Sequence, residues 1–196
     1  MCGRYFCVDK TENEVETELG FEPNSVSLSA GDITPGMNAL VIASSKGESE
    51  NGMQIRSMLW GLSGKDKKLI INARAESASE KPMFSDSIEH RRLIIPAAGF
   101  YEWDKDKNKV TFFRKDKSPI YLAGFYQLSE NVDSFVILTT AANESMIKVH
   151  DRMPLMIEKN DVRDWLCDKD AAKEMISMKM PLLDSHKDYE QLSLFN

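Results

Sequence analysis

Short segments rich in β-branched and aromatic residues follow one another through the middle of the chain, and each is bounded by Gly, Pro, Asn or Asp. This pattern is typical of strands that are joined by tight turns. A β-rich domain follows, in which any helices are short and peripheral. We predict strands at residues 39–44, 54–60, 69–72, 92–96, 99–103, 110–114, 120–128 and 135–140, and a polar hairpin tip at 104–109.

Helical patterns are confined to the two ends of the chain. Thr11-Glu12-Asn13-Glu14 resembles a capping box and Gly20 suits a helix C-terminus, which predicts a helix at residues 11–19. Two more helices are predicted near 161–167 and 171–178. The predicted fold class is therefore α+β: a single domain with a curved, barrel-like, mostly antiparallel β core and short peripheral helices.

Length and composition support one domain. The 196 residues, 42% of them hydrophobic, suffice for one well-packed core, which we expect at residues 1–185, followed by a tail at 186–196. The sequence contains no apolar run of membrane-spanning length and no secretory leader, so a cytoplasmic protein without a membrane partner is expected. Three cysteines without framework spacing favour reduced thiols.

The charge is unevenly distributed along the chain. The formal net charge of −6 argues against general affinity for nucleic acids. However, the stretch from Arg56 to Lys117 holds fourteen lysines and arginines against nine acidic residues. A basic segment within an acidic protein can form a local phosphate-binding face, although the lysines of the 104–109 hairpin are better explained as a solvated surface.

Cys2 directly follows the initiator methionine in Met1-Cys2-Gly3-Arg4. Removal of Met1 would leave an α-amine and a thiol on adjacent carbons, a pair that no internal residue offers. An aldehyde is the preferred partner of this pair, because the amine forms a Schiff base and the thiol then closes a five-membered thiazolidine ring. The reference pKa values are about 7.7–8.0 for the amine and about 8.5 for the thiol, so reactive forms of both exist near neutral pH.

Three other segments concentrate polar groups. Asn72 and Arg74 are two residues apart, so on a strand they share a face, where an amide and a guanidinium can orient a nucleophile and bind a phosphate. Glu102 lies among aromatic residues at the end of a predicted strand, a setting that suits a proton carrier. His150 is presented by a polar loop, and histidine is the usual proton shuttle near pH 7.

Other chemistries lack their sequence signatures. Cys2 and Cys7 have no second Cys or His pair, so we expect neither a metal nor a cofactor. A Gly-rich phosphate loop and a Gly-x-Ser-x-Gly elbow are also missing from the sequence. A Cys–His hydrolase remains open at this point, since Cys2 and His150 could pair.

Four widely separated motifs stand out together: Met1-Cys2-Gly3-Arg4, Asn72-Ala73-Arg74-Ala75-Glu76, Pro96-Ala97-Ala98-Gly99-Phe100-Tyr101-Glu102-Trp103 and His150-Asp151-Arg152-Met153-Pro154. In this order and spacing they resemble the SRAP family, the SOS-response-associated peptidases. The resemblance covers about residues 2–160 and implies a single α+β domain, the SRAP fold, that binds single-stranded DNA. It also implies recognition of abasic sites, whose open-chain sugar exposes an aldehyde at C1′.

The same resemblance implies catalytic roles residue by residue. Cys2 would be the nucleophile that forms a thiazolidine cross-link, and Asn72 would hold its terminus in place. Glu102 and His150 would move protons during ring opening, Schiff-base formation and reversal. The word peptidase is most easily explained by removal of Met1, either by the chain itself or by an aminopeptidase.

DNA contacts are implied for five further residues. Arg4 and Arg74 would hold phosphates, Pro35 and Trp60 would offer a stacking or wedge surface, and Thr140 would add a hydrogen bond. The implied protein is a monomer that shields abasic sites at the nucleoid in the DNA damage response, with hydrolase- or lyase-type activity. A peptidase acting in trans and a non-covalent single-stranded DNA-binding module remain the alternatives.

Two regions depart from the family pattern. Residues 62–68 form a shorter and more basic loop than family members usually have, which leaves the DNA contacts there undefined. The tail carries Gln191-Leu192-Ser193-Leu194-Phe195, which looks like the short peptide by which bacterial proteins dock on the sliding clamp. In that interpretation Gln191, Leu192, Leu194 and Phe195 would contact the clamp, as a flexible chain end allows.

Overall fold

A computed structural model describes residues 2–45, 52–64 and 68–187 of the chain. The described part is dominated by short strands, as the sequence pattern predicts. In chain order they are β1 (Tyr5–Cys7), β2 (Gly31–Ile33), β3 (Asn38–Ser44), β4 (Met53–Trp60), β5 (Leu62–Ser63), β6 (Leu69–Ile70), β7 (Asn72–Arg74), β8 (Arg92–Ala97), β9 (Gly99–Trp103), β10 (Lys109–Phe113), β11 (Ile120–Gln127), β12 (Ser134–Ala141), β13 (Arg152–Pro154), β14 (Met156–Ile157) and β15 (Asp184–Lys187).

Five short helices accompany the strands in the described ranges. They are α1 (Asp9–Leu19), α2 (Ala75–Ala78), α3 (Ser85–His90), α4 (Val162–Cys167) and α5 (Lys169–Ile176), with a 3-10 turn at Lys159–Asp161. Within the same ranges, no helix combines the length and the apolar character that crossing a membrane requires.

The larger sheet curls until it meets itself. Its strands follow the order β13-β12-β4-β3-β8-β11-β14, with β7 also paired to β12. β12 pairs with β11 as well, so the path β12-β4-β3-β8-β11 closes on itself. Among the described pairings, only those of β12 with β4 and with β7 are parallel. The predicted α+β fold with a curved, mostly antiparallel, barrel-like core is thereby confirmed.

A second sheet carries the start of the chain into the fold. Its order is β15-β10-β9-β1-β2, and every pairing in it is antiparallel. β1 lies between β9 and β2, with Tyr5 opposite Phe100 on one side and Ile33 on the other. The residues just before β1, including Cys2, are therefore fixed against the body of the domain.

Two hydrophobic clusters pack on opposite faces of the larger sheet. Consecutive residues of one strand belong to different clusters, as Leu93 and Ile94 do on β8, because side chains alternate across a strand. One cluster includes apolar residues of helices α1, α3, α4 and α5. The other joins the second sheet and contains Cys2 and Tyr5. The helices and the N-terminal segment thus cover different faces.

The first helix starts earlier than the capping pattern predicts. It begins at Asp9, and Val8 rather than Thr11 occupies the N-cap position. The hydroxyl of Thr11 accepts a hydrogen bond from the Val8 N–H at 3.1 Å, so this residue caps from inside the first turn. The predicted end is confirmed, because Gly20 follows the helix in the left-handed conformation with φ of 69°.

The last described strand reaches into the segment expected to be a tail. β15 pairs with β10 in the register Val110–Lys187 and Thr111–His186, so residues 186 and 187 are part of the sheet. The domain boundary between residues 185 and 186 remains a prediction. Residues Gln191, Leu192, Leu194 and Phe195 of the expected clamp peptide, and residues 65–67 of the divergent loop, lie outside the described residues.

Replacement of Gly124 tests the packing of the closed sheet. A Cβ atom added at this position of β11 would lie 2.4 Å from the Val136 carbonyl oxygen and 2.9 Å from the Leu93 side chain. We expect Gly124→Ala to lower the free energy of unfolding by about 1–3 kcal/mol, the usual cost of overpacking. Urea denaturation measures this, with Glu130→Ala in an exposed loop as a control that should change it by less than about 0.5 kcal/mol. An unchanged midpoint for Gly124→Ala would contradict the described packing.

Candidate active site

Cys2 is fully buried, although it lies at the start of the chain. It belongs to the same apolar cluster as Tyr5 and Phe100, and its Sγ lies 3.9 Å from the carbonyl oxygen of Arg4. Burial, together with the negative charge of Glu102, raises the pKa of the Cys2 thiol to about 12. The thiol is therefore protonated at neutral pH, and it must lose a proton to a neighbouring base in any step where it acts as a nucleophile.

Asn72 holds the backbone of Cys2 in place. Its Nδ2 donates a hydrogen bond to the Cys2 carbonyl oxygen at 2.9 Å. The amide is positioned by β7, in which Asn72 lies opposite Ile137 of β12. The next residue of this strand, Ala73, is buried. The Oδ1 of Asn72 is buried and accepts no hydrogen bond from the described residues. It is an available acceptor within the group that already contacts Cys2.

Glu102 brings a buried carboxylate to the same place. It lies on β9 and is only 4% exposed. The Arg4 carbonyl oxygen accepts a hydrogen bond from the Tyr101 N–H, which continues the β1–β9 register toward the start of the chain. Glu102 directly follows Tyr101 on β9, and its negative charge acts on the Cys2 thiol.

His150 lies at the edge of this region, with its side chain 28% exposed. Its Nδ1 accepts a hydrogen bond from the Arg152 N–H at 2.9 Å, which places the proton of the neutral ring on Nε2. The Asp151 carboxylate lies 3.0 Å from the same Nδ1 and can pair with it when the ring is charged. Among the described residues no hydrogen bond joins His150 to Cys2, so the structure does not contain a preformed Cys–His pair.

A two-pronged ion pair ties the His150 loop to the Asn72 segment. The guanidinium of Arg152 contacts both carboxylate oxygens of Glu76, at 2.6 and 2.8 Å. It also donates to the Thr139 carbonyl oxygen at 2.5 Å. The hydrogen bond with Arg152 lowers the pKa of Glu76. No sequence pattern indicates this pair, because 76 residues separate its members and neither position alone predicts a contact.

The two arginines that were assigned to DNA phosphates, Arg4 and Arg74, differ in exposure and in ion pairing. Arg74 is exposed on β7 and has no ion pair within the described part of the chain. Arg4 is 40% exposed, and its Nη1 lies 3.5 Å from Asp32 Oδ2. The Arg4 guanidinium also lies over the Trp103 ring, 5.6 Å from its centroid. Asp32 and Trp103 are neighbours that the sequence did not single out.

Trp60 cannot offer the stacking surface that the sequence suggested. It is fully buried, with its ring 5.3 Å from that of Tyr5 and 6.3 Å from that of Phe135. Its Nε1 donates to the Ile71 carbonyl oxygen at 3.0 Å. A base can stack only on an accessible ring, so that assignment is wrong for this structure. Trp60 instead packs beneath β1 and supports the residue that precedes Asn72.

Pro35 and Thr140 are partly accessible. Pro35 lies in a turn in which the Met37 N–H donates to the Thr34 carbonyl oxygen. Thr140 lies opposite Met153 near the end of β12 and is half-buried. The neighbouring Thr139 is fully buried, and its carbonyl oxygen accepts a hydrogen bond from Arg152. Pro35 and Thr140 are therefore both accessible enough to contact a ligand.

The acidic and sulfur-bearing side chains do not converge as metal ligands do. Within residues 2–45, 52–64 and 68–187, no group of three or more His, Cys, Asp or Glu side chains lies close enough together to hold a metal ion. The chemistry open to the described site is that of a thiol, a carboxylate, an imidazole and an amide.

Comparison with known proteins places these features in a family. The sequence is 31% identical to the abasic site processing protein YoaM of Bacillus subtilis, over all of this chain and 93% of the relative. It is 28% identical to the abasic site processing protein YedK of Escherichia coli, over 89% of this chain and 83% of the relative. A crystal structure of a Bordetella bronchiseptica protein shares the fold, with a TM-score of 0.79 at 21% identity over 96% of this chain and 100% of that one.

The family model for SOS response associated peptidases matches residues 1–193, almost the whole sequence. This match includes all four motifs and the two larger sheets, and it is supported by relatives that align over 93% and 83% of their own length. The chain is therefore a member of the SOS response associated peptidase (SRAP) family.

Proposed function

We propose that this protein captures abasic sites in single-stranded DNA through a covalent thiazolidine at Cys2, after Met1 has been removed. The observation that carries the proposal is the placement of Cys2, whose carbonyl is held by Asn72 and whose thiol lies within the field of the buried Glu102. The names of the relatives, which are abasic site processing proteins, support the same class of substrate.

The proposed reaction needs no oxidant and no cofactor. The free amine of Cys2 attacks C1′ of the open-chain sugar, and loss of one water gives an imine. The thiol then adds across the C=N bond, its sulfur to carbon and its proton to nitrogen, which closes the five-membered ring. Because C1′ is no longer a carbonyl or an iminium, the proton at C2′ is not acidified. Strand scission by β-elimination is thereby suppressed.

The neighbouring groups have complementary parts in this sequence. The protonated thiol of Cys2 must give up its proton as sulfur attacks, and Glu102 is the buried base beside it. Asn72 fixes the Cys2 carbonyl, which limits the positions that the adjacent amine can occupy. His150 carries its neutral-ring proton on Nε2 and can deliver it to the sugar ring oxygen during opening.

The strand itself would be held by the surrounding cations. Arg74 is exposed and Arg4 is partly exposed, so both can reach backbone phosphates next to the lesion. Pro35 and Thr140 are the accessible members of the remaining assigned set. Trp60 has no part in this interface, because its ring is enclosed.

A thiol peptidase acting in trans is less well supported. Such an enzyme needs a thiolate at neutral pH, whereas burial raises the pKa of the Cys2 thiol to about 12. It also needs a base that contacts the thiol, and no hydrogen bond links Cys2 to His150 among the described residues. Acetylation of the terminal amine separates the two functions, since it should abolish cross-linking but leave a thiol peptidase active.

Substitution of Cys2 tests the proposed ring. We expect Cys2→Ala to lose the adduct with an abasic oligonucleotide that survives a denaturing gel, because only sulfur can close the thiazolidine. Cys2→Ser should form at most a less stable species of the Schiff-base type. A non-covalent DNA-binding module would give no adduct even with the unsubstituted protein.

The control for this experiment is Cys167→Ser. Cys167 is exposed on α4 and belongs to neither the Cys2 site nor its cluster. This variant should form as much adduct as the unsubstituted protein. A stable adduct with Cys2→Ala would contradict the ring mechanism.

The protonated state of Cys2 predicts slow alkylation. At about pH 7.5, iodoacetamide should modify the exposed Cys167 on the order of a hundred times faster than Cys2, because only the thiolate reacts. Peptide mass spectrometry measures the alkylation rates of Cys167 and Cys2, and equal rates in the folded protein would contradict the described burial.

The raised pKa of Cys2 also makes folding stability depend on pH. The pKa of this thiol is higher in the folded state than in the unfolded state, so its contribution to stability is fully present below the unfolded pKa. That contribution is lost as the pH rises toward about 12.

Clamp docking through the tail is a separate part of the proposal. It rests on the sequence Gln191-Leu192-Ser193-Leu194-Phe195 alone. Deletion of residues 191–196 should abolish capture by an immobilised bacterial sliding clamp, while cross-linking to abasic DNA should persist. Unchanged capture after the deletion would remove clamp docking without affecting the proposed chemistry.

A further inference from the structure

Asp32 contacts Arg4, one of the two arginines to which the proposed function assigns DNA phosphates. It lies on the edge strand β2, directly opposite Phe6 of β1, and its side chain is 45% exposed. One carboxylate oxygen, Oδ2, lies 3.5 Å from Arg4 Nη1. The other, Oδ1, accepts a hydrogen bond from the Tyr101 hydroxyl at 3.0 Å. The carboxylate is thus held from two sides, by a cation and by a donor on β9.

Arg4 is the cation that follows Cys2 most closely along the chain, and its guanidinium is already engaged. Asp32 contacts it at one edge, and the Trp103 ring lies against it at 5.6 Å. These contacts hold the side chain over the second sheet. A phosphate that binds Arg4 must therefore approach a site with an anion beside it.

We propose that Asp32 is a specificity-determining residue that lowers the affinity of Arg4 for the phosphates of single-stranded DNA. The proposal rests on the function proposed above and deepens it. Asp32 orients Arg4 and neutralises part of its charge, so the free protein attracts intact strands less strongly. The covalent step at Cys2, rather than tight ionic binding, then decides which strands are retained.

The geometry of the Arg4–Asp32 pair suits a role in DNA affinity better than a role in folding stability. Both side chains are close to half exposed, and exposed pairs contribute little to folding stability. The hydrogen bond from Tyr101 keeps the carboxylate in place whether or not Arg4 moves away.

The substitution Asp32→Asn removes the negative charge of this side chain while keeping nearly the same shape. The amide keeps an oxygen that can accept from the Tyr101 hydroxyl, but it no longer pairs with Arg4. Binding to a fluorescein-labelled, lesion-free single-stranded oligonucleotide would be followed by fluorescence anisotropy over a series of salt concentrations. We expect about two- to fivefold tighter binding at low salt, the scale of one exposed ion pair. The slope of log K against log[salt] should become steeper by up to about 0.7, the value for one added phosphate contact on a single strand.

Two further variants make the result specific to Arg4. In an Arg4→Gln background, Asp32→Asn should raise the affinity for DNA no more than the control substitution Asp170→Asn does. The reason is that the Arg4 guanidinium, which loss of the Asp32 charge would free, is already missing. Asp170→Asn on α5 changes the net charge equally, and α5 belongs to the hydrophobic cluster on the opposite face from Cys2. This control should leave both affinity and slope within about a factor of 1.5, since distant exposed charges are screened by salt.

Each outcome decides the matter. Unchanged or weaker binding by Asp32→Asn, or an equal gain in the Arg4→Gln background, overturns the role of Asp32. Asp32→Ala is measured in parallel, with thermal melting to confirm folding, and must show the same direction. Cross-linking of abasic DNA by the unsubstituted protein distinguishes failure of the proposed function from failure of the inference about Asp32. If that cross-link forms while Asp32→Asn has no effect, only this inference fails, whereas loss of all DNA binding by the unsubstituted protein overturns both.

Discussion

The antiparallel pairing of β1 with β9 is the constraint on which the site depends. A chain terminus normally frays into solvent, because few contacts hold its backbone. Here Tyr5 and Phe6 of β1 are paired on both sides, and a hydrogen bond from the Tyr101 N–H to the Arg4 carbonyl oxygen extends the contact with β9 toward the start of the chain. Cys2 is thereby drawn into the apolar cluster between the sheets and set beside Glu102. Without this pairing, neither the buried thiol nor the hydrogen bond from Asn72 would exist.

Burial of Cys2 has a chemical consequence. A thiol kept protonated by its surroundings is a poor nucleophile toward peptide bonds, but it is also protected from alkylation and oxidation until an electrophile arrives. An amine next to such a thiol can react first with an aldehyde, after which the thiol needs only to add to an adjacent carbon. The effective concentration of the sulfur is then very high, because both groups belong to one residue. The site therefore suits ring closure better than intermolecular thiol attack.

Much of the fold could be predicted from local sequence. The longer strands β3, β4 and β8 to β12 follow the alternation of β-branched and aromatic residues, and Gly20 marks the end of α1 as expected. The shortest strands, such as β2, β5, β13 and β14, were missed because two or three residues carry no periodic signal. The prediction of helices only near the two ends of the chain was wrong, because α2 and α3 lie in the middle and, at four and six residues, are too short to show a helical period. Closure of the sheet by the β12–β11 pairing is a long-range contact that local patterns do not contain.

The candidate site shows the same division. Motif spacing identified Cys2, Asn72, Glu102 and His150. The structure brings Asn72 and Glu102 to Cys2, while in the described part of the chain His150 is linked to that region through Arg152. Trp60 was misassigned because the residue type does not tell which side of a strand it occupies, and its indole nitrogen meets a carbonyl eleven residues further along the chain. The clamp of Arg152 on Glu76 was missed because its members meet only in three dimensions.

The central claim is that the reactive group is a processed terminus, amine and thiol together, rather than the cysteine side chain alone. Intact mass spectrometry of the purified protein, before and after incubation with a single-stranded oligonucleotide that contains one abasic site, tests it most directly. The account predicts a starting mass that lacks one methionine residue, and a product equal to protein plus oligonucleotide minus one water. Adduct formation by protein that retains Met1, or a product that has not lost water, would contradict it.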